Sequence, residues 1–230
     1  MNIKRLVILP VLALAAAPIA ANADTVSYTF TGIVTTGFDD IGLFGAPGSG
    51  TLVRDSFTAT FDVNLATESI NGNFLEVEGG TDANGNPPSP FVSESLTING
   101  LTANFAGGFA DEAVLIPGTQ FIVQSTTANN SSLSFSLFNS SGSLPISSLS
   151  APLSYTVMES DGSFGALFLY DSTGQTPEVE LTLLPTEVTI APVPLPAAAW
   201  LMLSGLGGLG VMARKRKAVW RLSLAERGLV

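Results

Sequence analysis

Apolar and polar residues alternate along most of this chain with a period of two. Leu133, Phe135 and Leu137 interleave with Ser132, Ser134 and Ser136, and Phe57, Ala59, Phe61 and Val63 with Thr58, Thr60 and Asp62. Successive side chains of an extended strand point to opposite faces, so each run reads as a strand with one buried and one wetted face. The pattern recurs at Tyr28-Thr29-Phe30, at Leu96-Thr97-Ile98, at Leu101-Thr102-Ala103-Asn104-Phe105, and across residues 154–157, 164–170 and 179–183. In the last run Glu178, Glu180 and Thr182 take the outward positions. Asn99-Gly100 joins two runs and suits a two-residue type I′ hairpin turn, which needs positive φ at both positions. No apolar stripe of helical period occurs between Asp24 and Pro192. Ten or so short strands punctuated by Gly, Pro, Asn and Asp predict an all-β fold, an antiparallel β-sandwich or jelly roll.

Two stretches break the alternation: the Gly-rich residues 39–50, and residues 79–90, which contain Asp-Ala-Asn-Gly-Asn-Pro-Pro. Both are expected as mobile surface loops at the ends of the strands.

The residue types the chain lacks narrow its chemistry. It has no Cys and no His. Without disulfides an apolar core must hold the fold, and a domain of roughly 165 residues can bury one. Without His there is no Ser-His-Asp triad and no imidazole-ligated zinc or copper. Arg54 is the only base between Asp24 and Pro196, so no lysine there can form a Schiff base or cradle a phosphate. Carboxylate chemistry remains. The net charge is −10, with the acids gathered in that same stretch, so the domain repels nucleic acid and anionic head groups.

The carboxylate candidates are few. Asp82, Asn84 and Asn86 have the 1-3-5 spacing of a calcium loop, but Pro87 and Ser93 stand where an EF-hand needs Gly and Glu, so a polar turn fits better than calcium. Asp39, Asp40 and Asp55 flank the Gly-rich loop and either converge on a cation or are solvated separately. Glu76 with Glu78, and Glu178 with Glu180, are same-face pairs; a solvated sheet face explains them better than a glycosidase pair, which needs two carboxylates across a cleft. Phe38 and Phe44 are the aromatic candidates for a carbohydrate-binding surface.

Both ends carry apolar runs. In residues 1–23, Lys4-Arg5 precede an apolar stretch of about 12 residues, too short to span a bilayer, and Ala21-Asn22-Ala23 offers a small-residue cleavage site. This reads as a secretory signal peptide, read by the Sec translocon and cut by signal peptidase after Ala23. At the other end, residues 197–213 hold no charge. As a helix they would measure about 26 Å, enough for the hydrocarbon core. Arg214, Lys215, Arg216 and Lys217 follow as a stop-transfer block that stays cytoplasmic, and residues 218–230 form a short cytoplasmic tail.

Val193, Pro194, Leu195, Pro196 and Ala197, then the Gly-rich span, then the basic cluster, together resemble the PEP-CTERM class of bacterial sorting signals, in its VPLPA-CTERM variant. The resemblance covers residues 192–217. It implies a Gram-negative host, recognition by an exosortase that cuts near the prolines, and delivery to a surface or exopolysaccharide-rich matrix. The chain departs from the class pattern in Leu195, where the commoner form has Glu, and in running on past Lys217.

The expectation is therefore a signal peptide (1–23), a secreted β domain (24–191), a sorting signal (192–217) and a tail (218–230). The domain is expected to be non-enzymatic, with no cofactor beyond a possible calcium ion and no nucleic-acid partner. It would pass through an inner-membrane intermediate with its β domain in the periplasm. A carbohydrate- or calcium-binding module and an uncut type I membrane protein are the alternatives.

Overall fold

A computed structural model of the chain describes residues 25–45, 47–80, 88–105 and 108–193. Thirteen strands run through them: β1 (Thr25–Asp39), β2 (Gly48–Ser49), β3 (Ser56–Asn64), β4 (Ser69–Asn71), β5 (Phe74–Gly79), β6 (Phe91–Ile98), β7 (Leu101–Phe105), β8 (Ala110–Ile116), β9 (Gln120–Thr126), β10 (Ser132–Phe138), β11 (Leu153–Thr156), β12 (Gly162–Tyr170) and β13 (Pro177–Pro192). Apart from one 3₁₀ turn at Leu65–Thr67, no helix occurs among the described residues. The fold is all-β and its strand pairs are antiparallel.

Hydrogen bonding joins the strands into one sheet in the order β4-β5-β8-β9-β10-β12-β13-β1-β3-β6-β7, with β11 paired to β13 and β2 to β1. This sheet is folded over on itself. Phe30 on β1 stacks on Phe135 of β10 with ring centroids 4.6 Å apart, and Tyr28 meets Phe121 of β9 edge-on at 5.2 Å. Two strands separate β10 from β1 along the ladder, so these rings meet across the interior. Phe57 and Phe61 on β3 close on Phe135 from the same side. The alternation of the sequence is the alternation of burial: Leu133, Phe135 and Leu137 are buried while the serines between them are partly exposed.

The longest ladder joins the first and last strands. β13 runs straight through Leu184-Pro185-Thr186-Glu187, although Pro185 has no N–H to donate. It can do so because the register slips there: Thr31 pairs with Glu187 and Gly32 with Pro185, leaving Thr186 as the extra residue of a bulge. The bulge switches the buried parity of β13 from Val179, Leu181 and Leu183 to Val188 and Ile190. Gly32 is needed opposite, since a Cβ there would lie 2.0 Å from the Leu184 carbonyl oxygen.

The Asn99-Gly100 turn has φ of 54° and 78°, as a type I′ turn requires, and pairs Ile98 with Leu101. The stretch 39–50 is not a free loop. Gly48 and Ser49 pair with Asp39 and Phe38, and Phe44 is fully buried.

Candidate functional site

The interior of the folded sheet changes character at one end. On β6 the inward positions run Ile98, Leu96, then Glu94; on β9 Phe121, Val123, then Ser125; on β8 Leu115, Ala113, then Asp111. On β10 the sequence Leu137, Phe135, Leu133 ends at Ser131, just before the strand. Glu94, Asp111, Ser125 and Ser131 are all buried. Burying polar groups is costly unless they are hydrogen-bonded, so four at one level mark a place where core packing yields to another requirement.

Part of that requirement is structural. The Asp111 carboxylate accepts from the Thr126 amide at 3.1 Å and from the Ser89 hydroxyl, fastening the segment that leads into β6. Ser131 Oγ accepts from the Tyr170 amide at 2.9 Å. Asn129 donates to the carbonyls of Tyr170 and Asp171, holding the β9–β10 turn against the end of β12.

Between these turns and the β6–β7 hairpin lies a concavity of about 220 Å³. Glu94, Phe105, Ser125, Thr127, Asn129 and Ser131 line it together with Leu133 and Leu169. Glu94 and Phe105 are directly opposite on β6 and β7, so carboxylate and ring share one wall. The sequence alone assigned none of these residues to a binding site. Their signal was phase: Glu94 stands in register with Leu96 and Ile98, and Ser125 with Phe121 and Val123.

A second acidic feature faces outward. Glu78 pairs directly with Glu112, and Glu76 with Val114 beside it. Partial burial and then the charges of Glu78 and Glu76 raise the Glu112 carboxyl above the ordinary carboxylate range. The expected Glu76/Glu78 pair is thus joined by Glu112, and Glu78 and Glu112 line a shallow outer face with Gln124. Glu178 and Glu180 point outward from β13, Glu180 between Phe38 and Phe168 on the flanking strands.

Two other expectations are corrected. Asp39 is buried and caps the Gly-rich turn, accepting from the amides of Leu43 at 2.9 Å and Phe44 at 2.8 Å. Asp55 accepts from Asn99 across the β3–β6 pair, and Asp40 is exposed, so the three aspartates do different work. Among the described residues no group of three or more acids is placed to hold a metal ion. Phe44 is core, and Phe38 is half-buried, so neither is an exposed binding aromatic. Asp82, Asn84 and Asn86 lie outside the described residues.

The remaining site is the end of β13. Val26 pairs with Pro192, and the Val193 amide donates to the Thr25 carbonyl at 3.1 Å. The two ends of the domain therefore lie side by side, and Val193, the first residue of the proline motif, still belongs to the folded domain. The signal-peptide residues with Ala21 and Ala23, the motif residues Pro194, Leu195, Pro196 and Ala197, the run 197–213, the block Arg214 to Lys217 and the tail 218–230 lie outside the described residues. Among those described, no helix is long and apolar enough to cross a membrane.

Comparison with curated proteins and with solved structures gives no match. Residues 192–217 match the PEP-CTERM protein-sorting motif. That motif implies export across a membrane to the cell surface, with an exosortase as the processing partner.

Proposed function

We propose that the chain is an exported, non-enzymatic surface or matrix protein of a Gram-negative bacterium, read by an exosortase through the VPLPA form of the motif. The observation that carries this reading is the motif match at residues 192–217, continuous with the last strand of the β domain. In this reading signal peptidase frees the domain after Ala23 once the Sec translocon has engaged residues 1–23. The apolar run 197–213 then holds the chain in the membrane, and Arg214 to Lys217 stop its transfer. The prolines keep residues 193–196 extended, a conformation a protease active site accepts. The absence of His and Cys, with Arg54 the only base in the domain, supports a role without catalysis.

The test is an internally tagged chain, with the tag inserted between residues 84 and 90, followed by blotting of membrane and medium fractions. Wild type is compared with Pro194→Ala/Pro196→Ala, with and without the host exosortase. A shorter product that needs both the enzyme and the prolines is expected. An uncut, membrane-bound chain in every arm would replace this reading with a type I membrane protein.

A further inference from the structure

We propose that the concavity walled by Glu94 and Phe105 binds a single neutral sugar ring. The inference stands apart from the sorting reading, because it rests on the interior of the β domain.

The lining combines what a pyranose needs. Glu94 supplies a buried carboxylate, an acceptor for a sugar hydroxyl. Ser125 can both donate and accept, and the Thr127 hydroxyl, which donates to Asn129 Oδ1 and the Ser131 carbonyl, can accept. Phe105, with Leu133 and Leu169, offers an apolar surface for the C–H face of the ring. A carboxylate and an aromatic ring facing one concavity from paired positions is an arrangement that orients a ligand with one polar edge and one apolar face.

Size and charge exclude the other ligand classes. At about 220 Å³ the site is below the roughly 300–1,000 Å³ of drug-sized pockets, a size that one ring fills. Glu94 lies in a domain whose only base is Arg54, which is not among the lining residues, so phosphates and acidic sugars are repelled. A hard divalent cation prefers six to eight oxygen ligands with several carboxylates among them, and here Glu94 is the one carboxylate among neutral amides, hydroxyls and three apolar side chains.

The experiment uses the full-length chain in nanodiscs. Glucose, galactose, mannose and N-acetylglucosamine are each tested by saturation-transfer NMR, with EDTA present and then with added calcium. At least one sugar should give transfer in EDTA, with a loss of tenfold or more in affinity for Glu94→Gln and for Phe105→Ala. Ser141→Ala, outside the site, should bind like wild type. Thermal unfolding identifies any variant that fails to fold; if Glu94→Gln does, the half-buried Phe105 decides through Phe105→Ala. No transfer from any of the four sugars, or unchanged binding in a folded Glu94→Gln or Phe105→Ala, would overturn the proposal. So would a requirement for calcium, which would make the site a cation centre.

Discussion

The amide of Val193 is hydrogen-bonded to the carbonyl of Thr25, so the motif that marks this chain for sorting begins inside its first β-ladder. Four residue steps separate Val193 from Ala197, at most about 14 Å of extended chain. A processing enzyme must reach the prolines with the folded domain close against it, or work on a ladder end that has opened. Deleting residues 25–27 removes the partner of this end. We expect the deletion to speed the appearance of the cut product at equal chain levels, followed by pulse-chase in cells carrying the exosortase. Equal rates would mean that the ladder end does not restrain the motif.

Gly32 faces the Leu184 carbonyl across the bulge with no room for a methyl group. Gly32→Ala is expected to destabilise the domain by about 1–3 kcal/mol. The denaturant midpoint should fall with an unchanged slope. Gly50, with nothing within 4 Å of its virtual Cβ, is the control for a loop glycine, although its φ of 74° still disfavours alanine.

Glu112 stands opposite Glu78, and like charges directly opposite on paired strands destabilise a sheet. Its folded pKa is raised, so the native state holds this proton more tightly than the unfolded chain does. Stability from this group is present below the unfolded pKa of about 4.3 and is lost as pH rises through the folded value. Glu112→Gln should therefore raise the melting temperature at pH 7 and change it little at pH 3.5, read by thermal scans at the two pH values.

Asp171 has the opposite sign. The Thr173 hydroxyl, with the amides of Gln175, Thr176 and Thr173, outweighs desolvation and lowers its pKa to about 2. The stability it gives the β12–β13 turn is present above the unfolded pKa of about 3.9 and is lost as pH falls toward 2. Asp171→Asn should flatten the acid limb of the stability curve over that window. An unchanged acid limb in Asp171→Asn would assign acid sensitivity to other carboxylates.

The strands were legible because their alternation is local. Leu133, Phe135 and Leu137 had one face to bury whatever they packed against, and Asn99-Gly100 named its own turn. Their partners were not legible. That Phe30 lies on Phe135 depends on how a long sheet folds over, which no local pattern specifies. The run 179–183 was legible as strand, but its continuation through Pro185 was not, because the bulge that accommodates that proline depends on Gly32, far away in sequence. Asp39 and Phe44 were read as loop surface because a Gly-rich stretch hides the cap that turns both inward. The buried end of the interior was written in the phase of Glu94 and Ser125, but only relative to strands whose inward face was already known.

The ladder between the first and last strands also sets a timetable. Thr35 and Thr31 bond to partners 147 and 155 residues further along the chain. A sheet whose central pairing joins its first and last strands has high contact order, and it cannot complete its core before β13 has arrived. A chain that crosses a membrane from its first residue to its last would thus emerge without a finished fold. Its closing strand ends where the matched sorting motif begins, so the strand that completes the fold and the signal that is read for sorting arrive together.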